Sequence, residues 1–162
     1  NFNTRPWYEG YGSLINTYTC FTPNTLITMA NGEEKPISSV KKGEKVKSEI
    51  GESTILSTQI HEGDFKVYSI NEGKPFVTED HPFKTIDGWK AINPFYTLEK
   101  HQIYSKTLNL DDIIYKIKGK EVVKNIKEGK TTYKKVYNLS LDNEHVYYAN
   151  GYLVHNDKIN TV

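Results

Sequence analysis

Short runs of strand-forming residues alternate with Asn-Gly and Asp-Gly dipeptides along most of this chain, and that alternation commits it to hairpins. Asn31-Gly32, Asp87-Gly88 and Asn150-Gly151 each sit between apolar segments. Asn, Asp and Gly tolerate the positive φ that tight hairpin turns require. No segment holds an apolar stripe of 3.6-residue period over three turns. Twelve Tyr, together with many Ile, Val and Thr, favour strands over helices. The expected fold is all-β, and 162 residues suffice for one domain with a core of its own.

An internal duplication runs through the pattern. LITMANGEEKPI (26–37) and PFKTIDGWKAI (82–92) share a strand, an Asn/Asp-Gly turn and a return strand ending in Ile. Each is followed by a related segment, VKKGEKV (40–46) and LNLDDII (108–114), with apolar residues at the same spacing. Two similar halves predict a pseudo-twofold β structure.

Charge and composition remove several classes of function. The net charge of +1 calls for neither nucleic acid nor a membrane surface. No apolar run approaches the length of a membrane span, and no charged-then-apolar signal opens the chain. Residues 115–135 carry eight Lys against two Glu, a stripe able to meet phosphates. These Lys alternate with Val, Ile and Tyr across a Glu128-Gly129 turn, however, which reads as the solvated face of a hairpin. A single Cys excludes an internal disulfide and suits a reducing intracellular compartment. The sequon Asn138-Leu139-Ser140 falls in a predicted strand and is read as accidental.

That one cysteine, Cys20, opens the β-rich region after a polar stretch, Asn16 to Thr19. A lone Cys is most often a small buried hydrophobe. Its thiolate is also placed to attack the preceding carbonyl, that of Thr19, and convert an amide into a thioester. Such a shift needs a deprotonated thiol, a destabilised amide and a proton for the departing nitrogen. Being intramolecular, it gains from orientation. Thr78-Glu79-Asp80-His81 supplies further parts. His81, extended before Pro82, is a candidate to protonate the Cys20 nitrogen, and Thr78 a candidate to hydrogen-bond the scissile carbonyl. Glu79 and Asp80 are expected to be solvated.

At the far end, Asn156 has the means to cyclise. Its side-chain nitrogen attacks its own carbonyl, forms a succinimide and cuts the bond to Asp157. His155 is placed to donate to the Asn156 carbonyl oxygen. His145, across the Asn150-Gly151 hairpin, is a candidate base. His61 and His101 fit no such pattern and are read as surface residues.

Taken together, these segments resemble the Hint superfamily, which comprises inteins, bacterial intein-like domains and hedgehog autoprocessing domains. The resemblance rests on CFTPNTLITMANGEEKPISSVKKGEKV (20–46), FVTEDHPFKTIDGW (76–89) with its Thr-x-x-His, and VYNLSLDNEHVYYANGYLVHN (136–156). It implies a compact, horseshoe-like β fold over residues 20–156, an N-terminal flank 1–19 and a C-terminal flank 157–162. It assigns Cys20 as first nucleophile, Thr78 and His81 as its activators, and His145, His155 and Asn156 as the cyclisation group. The implied form is minimal, with no homing endonuclease, no cofactor and no metal. Its partners are its own flanks, and it acts as a monomer without nucleic acid or membrane.

Two positions depart from splicing inteins. Asp157 stands where those carry Cys, Ser or Thr, and Asn138 stands where many carry Asp. Asp157 has no hydroxyl or thiol to take over an acyl group, and an amide does no proton work. Both departures favour cleavage at the borders over joining, although the freed amine of Asp157 can still attack the thioester. The alternatives are an inactive Hint module serving as a structural or interaction insert, a trans-acting cysteine hydrolase using Cys20 and His81, and adventitious zinc on Cys20, His81 and His155.

Overall fold

The computed structural model describes residues 20–94 and 105–156. Thr19, His101, Asp157 and both expected flanks lie outside the described residues. Within them the chain is β apart from a single turn of 3₁₀ helix at Ile37–Ser39. The strands are β1 Leu26–Thr28, β2 Glu34–Pro36, β3 Lys45–Lys47, β4 Glu52–Phe65, β5 Tyr68–Ile70, β6 Phe83–Thr85 and β7 Gly88–Ala91. They continue as β8 Lys106–Thr107, β9 Ile113–Lys116, β10 Gly119–Val122, β11 Ile126–Glu128, β12 Tyr133–Leu141, β13 Val146–Ala149 and β14 Tyr152–His155.

The three dipeptides mark hairpins as expected. Asn150 and Gly151 both take positive φ, 49° and 83°, so β13 and β14 join through a two-residue turn whose twist matches the strands. This closing hairpin is the centre of the main sheet. Its β13 pairs with β1 of the first hairpin, and its β14 pairs with β6 of the second and with β9. Its tip is held on β1, where Asn150 N–H donates to the Leu26 carbonyl and Leu26 N–H to Asn150 Oδ1, both at 2.8 Å.

The duplication is legible bond by bond. Ala30 N–H meets the Lys45 carbonyl at 2.9 Å, and Ile86 N–H meets that of Ile113 at 3.1 Å. Gly43 N–H reaches Ile55, and Asp111 N–H reaches Val123, both at 2.8 Å. A carboxylate caps each turn: Glu44 accepts from Lys41 N–H at 2.8 Å, Asp112 from Asn109 N–H at 2.7 Å. Each carboxylate also meets the lysine of its own hairpin, Lys35–Glu44 at 2.6 Å and Lys90–Asp112 at 2.8 Å. Lys35 and its Lys41 neighbour hold Glu44 below the usual carboxylate range. Burial pushes Asp112 upward, but the Asn109 amide and Lys90 outweigh it and hold it low.

The core lies between the halves. Phe76 stacks on Phe21 and on Tyr152, with centroids 6.1 and 5.9 Å apart, while Phe83 meets Tyr152 edge-on at 5.8 Å. Away from it, β12 and β4 form a long ribbon, and β11 pairs with β5. The lysine stripe therefore needs one correction. The Glu128-Gly129 turn joins β11 to β12, two strands that pair elsewhere and not with each other. Its lysines are largely exposed, and Lys116, Lys124 and Lys134 pair with Glu121, Asp111 and Asp64.

Candidate functional site

Cys20 begins the described chain and is 1% exposed, packed on Phe65 of β4 and Val136 of β12. Its neighbour Phe21 bridges two segments at once. It exchanges hydrogen bonds with Tyr137 of β12, both at 2.8 Å, and pairs antiparallel with Val77. Across that second bridge, Thr78 N–H donates to the Cys20 carbonyl at 3.0 Å. The Thr78 side chain is thereby set against Cys20.

The Cys20 amide N–H donates to Thr78 Oγ1 at 3.0 Å. This nitrogen belongs to the Thr19–Cys20 bond. The expected contact of Thr78 with the Thr19 carbonyl lies outside the described residues; the contact within them is at the nitrogen of the bond. With its lone pair taken by Cys20, the Thr78 hydroxyl donates elsewhere. Asp80 Oδ1 lies at 3.1 Å and the Cys20 carbonyl at 3.3 Å.

Asp80 corrects an expectation. It is 2% exposed, not solvated. A carboxylate that accepts from the Thr78 hydroxyl makes that oxygen a better acceptor toward the Cys20 nitrogen, because chained hydrogen bonds polarise one another. Alternation of apolar and polar residues gives no sign of this, since Asp80 lies in a turn. Glu79 is half-buried and accepts from the Tyr68 hydroxyl at 3.3 Å. Burial first, then Glu79, push the Tyr68 phenol well above its ordinary range.

His81 is wholly buried, and its ring lies against Phe21 with centroids 4.3 Å apart. Its N–H donates to the Thr78 carbonyl at 3.4 Å, closing a turn over 78–81. The turn gathers Thr78, Asp80 and His81 beside the Cys20–Phe21 segment.

The second cluster forms where β14 ends. Val146 pairs with His155, and the next rung brings Asn156 N–H to the His145 carbonyl at 2.8 Å. Directly opposed residues of an antiparallel pair share a face, so His145 and Asn156 are cross-strand neighbours. His145 is half-buried, and its Nδ1 is enclosed without a hydrogen-bond partner among the described residues. Asn156 is wholly buried, and its Nδ2 donates to the Leu139 carbonyl of β12 at 2.7 Å. His155 Nδ1 lies 2.6 Å from the Asn156 carbonyl oxygen. Trp89 of β7 stands edge-on to the His155 ring at 4.8 Å and fixes its plane.

Asn138 lies between the two clusters, on the strand that touches both. It is 1% exposed, and its Oδ1 accepts from Leu139 N–H and from the Tyr147 hydroxyl, each at 2.8 Å. Tyr147 was not anticipated from sequence, where it is one tyrosine among twelve. Among the described residues, no three His, Cys, Asp or Glu side chains converge to hold a metal ion.

A search of curated proteins finds no match to this sequence. Solved structures match over most of the chain. The gp41-1 intein is 20% identical with a TM-score of 0.66, over 85% of this chain and 98% of that one. The bacterial intein-like domain from Clostridium thermocellum is 27% identical with a TM-score of 0.65, over 86% of this chain and all of that one. The DnaB intein from Synechocystis sp. PCC 6803 is 18% identical with a TM-score of 0.63, over 85% and 98%. These likenesses concern the fold. A Hint-domain family model matches residues 19–118, more than half of the sequence. This chain belongs to the Hint-domain family.

Proposed function

We propose that the domain processes its own backbone at two borders, Thr19–Cys20 and Asn156–Asp157, and that cleavage is the main outcome. The observation that carries this reading is the hydrogen bond from the Cys20 amide to Thr78 Oγ1, at the bond that has to break.

At the first border, Cys20 Sγ attacks the Thr19 carbonyl carbon. A carbon–sulfur bond forms and the carbon–nitrogen bond breaks. The nitrogen leaves as the amine of Cys20 after taking a proton, a step for which His81 is the candidate acid. The Thr78 hydroxyl, backed by Asp80, accepts from that nitrogen and favours it as it gains hydrogen and positive charge. The product is a thioester, which water or an added thiol then releases.

At the second border, Asn156 Nδ2 attacks the Asn156 carbonyl carbon. The new carbon–nitrogen bond closes a succinimide, the bond to Asp157 breaks, and Asp157 keeps the amine. Protonated on Nδ1, His155 donates to the oxyanion that forms at the Asn156 carbonyl. His145 is the candidate base for the proton that Nδ2 gives up. Leu139 holds Nδ2 through its carbonyl, which orients the amide before attack. Asn138, an amide committed to Leu139 N–H and Tyr147, passes no proton between the borders.

The test is a time course of the 162-residue chain, with and without dithiothreitol, read by intact mass. The expected outcome is loss of residues 157–162 and thiol-dependent release of residues 1–19. Cys20→Ala blocks the release, and Asn156→Ala keeps the tail attached. Release that persists in the Cys20 variant overturns the thioester, and a chain that stays full length throughout is an inactive insert.

A further inference from the structure

His145 sits in the segment between β12, which ends at Leu141, and β13, which begins at Val146, and its carbonyl takes the Asn156 N–H. Contacts beyond that one backbone bond also hold the segment opposite Asn156. They come from the β3–β4 hairpin. Ser48 Oγ donates to the Val146 carbonyl at 3.0 Å, and Ser53 Oγ donates to the Glu144 carbonyl at 3.3 Å. These are the carbonyls on either side of His145, whose own carbonyl takes the Asn156 N–H. The two hydroxyls also touch each other at 2.7 Å. With one proton each, Ser48 donates to Val146 while the Ser53 proton is shared between Ser48 Oγ and the Glu144 carbonyl.

Both serines are buried, 0% and 2% exposed, so water cannot replace these contacts cheaply. Longer arms surround them. Ile50 N–H reaches Glu144 Oε1 at 3.4 Å, Thr54 N–H reaches Asp142 Oδ1 at 2.8 Å, and Glu49 pairs with Lys84 of β6 at 2.7 Å. Ser48 and Ser53 occupy the places that Lys116 and Glu121 occupy in the other half, by the spacing that matches Ile55 with Val123. There an ion pair of 2.9 Å grips the tip of the same closing hairpin, through Tyr152. One end of that hairpin is held by charge, and the reactive end by two neutral hydroxyls.

We propose that Ser48 and Ser53 form a clasp that positions His145 over Asn156 and so sets the rate of cleavage at the C-terminal border. They are positioning residues, and the role rests on the two-border reading above. Neither serine belongs to a motif that sequence inspection singles out. Their effect is expected at the second border, because among the described residues no hydrogen bond connects them to Cys20, Thr78 or His81.

The two borders give the experiment its internal control. In full-length Ser48→Ala/Ser53→Ala, loss of residues 157–162 slows by about tenfold or more, the size of effect expected when a reacting pair is misplaced. Thiol-dependent release of residues 1–19 keeps its parental rate. Ser53→Thr, which retains the hydroxyl on a strand that favours β-branching, restores tail loss in a chain with native Ser48 relative to Ser53→Ala. Equal slowing of both borders assigns the serines to general stability and overturns the clasp, as does unchanged tail loss. A second measurement stands apart from cleavage. Hydrogen exchange at the Asn156 amide, bonded to the His145 carbonyl, speeds up in the double alanine variant while that of Val123 does not. Unchanged protection of Asn156 overturns the proposal. A parent chain that keeps its tail defeats the two-border reading, and the exchange measurement still decides for or against the clasp.

Discussion

Thr22-Pro23-Asn24-Thr25 and Thr78-Glu79-Asp80-His81 occupy matching places in the two halves. The Phe21–Val77 bridge lies between them, with Thr22 N–H on the Phe76 carbonyl at 2.9 Å and Thr78 N–H on the Cys20 carbonyl at 3.0 Å. Each tetrapeptide forms a turn that leads into a hairpin, β1 in one case and β6 in the other. In the first, the hydroxyls of Thr22 and Thr25 bond to each other at 2.9 Å, and Thr25 Oγ1 also donates to the Phe76 carbonyl at 3.4 Å. In the second, Thr78 turns to the Cys20 nitrogen, with Asp80 behind it and His81 packed on Phe21. One backbone frame thus serves twice, and only the copy facing a cysteine carries titratable groups. Where the frame has Cys20 on one side, it has Phe76 on the other. The asymmetry lies in side chains, not in the fold.

The comparison is broken most directly by giving the second turn the residue of the first. His81→Thr is expected to slow thiol-dependent release of residues 1–19 by roughly 10²- to 10⁴-fold, the usual worth of a placed acid. Loss of residues 157–162, read from the same mass spectra, continues. Equal loss at both borders counts against a role at the first border alone. Thr78→Ala is expected to slow the same release by roughly 10- to 100-fold, the equivalent of one hydrogen bond to a charged or charging group. Its counterpart Thr22→Ala leaves release unchanged and lowers unfolding stability by about 1 kcal/mol in urea titration. A rate defect in Thr22→Ala as large as that in Thr78→Ala erases the distinction.

The two lysine–carboxylate clips sharpen the same contrast on the stability side. The Lys90 and Asp112 side chains are 12% and 13% exposed, whereas those of Lys35 and Glu44 are 36% and 30% exposed. Lys90→Met strands a largely buried carboxylate and is expected to cost about 3 kcal/mol. Lys35→Met leaves Glu44 where water reaches it, and its loss is the smaller of the two. Both carboxyls lie below their ordinary range when folded, so each contributes stability at neutral pH that fades as pH falls below about 4. Lys90→Met is therefore expected to flatten the acid side of the stability profile more than Lys35→Met. Chemical denaturation at pH 7 and at pH 3 measures both.

Much of the candidate site was legible in the sequence because its parts are scarce residue types near turns. One Cys, a Thr-x-x-His and a terminal His-Asn leave few other assignments, and the hairpin dipeptides fix the strands that present them. The contacts that give these residues direction were hidden. That Thr78 Oγ1 meets the Cys20 nitrogen depends on the pairing of Phe21 with Val77, which local pattern does not encode. Asp80 in a turn carries no periodic signal of burial. Lys90 and Asp112 are separated by an extra segment that the shorter Lys35–Glu44 spacing lacks, which conceals their equivalence. The lysine stripe misled for a related reason: β11 and β12 look like one hairpin in sequence, yet each finds a partner from the first half.

Strand β12 has one further consequence. Phe21 is bonded to Tyr137, and the Asn156 side chain to Leu139, two residues farther along the same strand. Positions two apart on a strand are roughly 7 Å from each other. Cys20 and Asn156, at the proposed borders of an inserted domain, thus lie close together. A surface loop can admit such a graft without its own ends being pulled apart, because the span to be bridged adds little loop-closure entropy. Mechanically, a domain with these two proposed borders is a detour that begins and ends at one address.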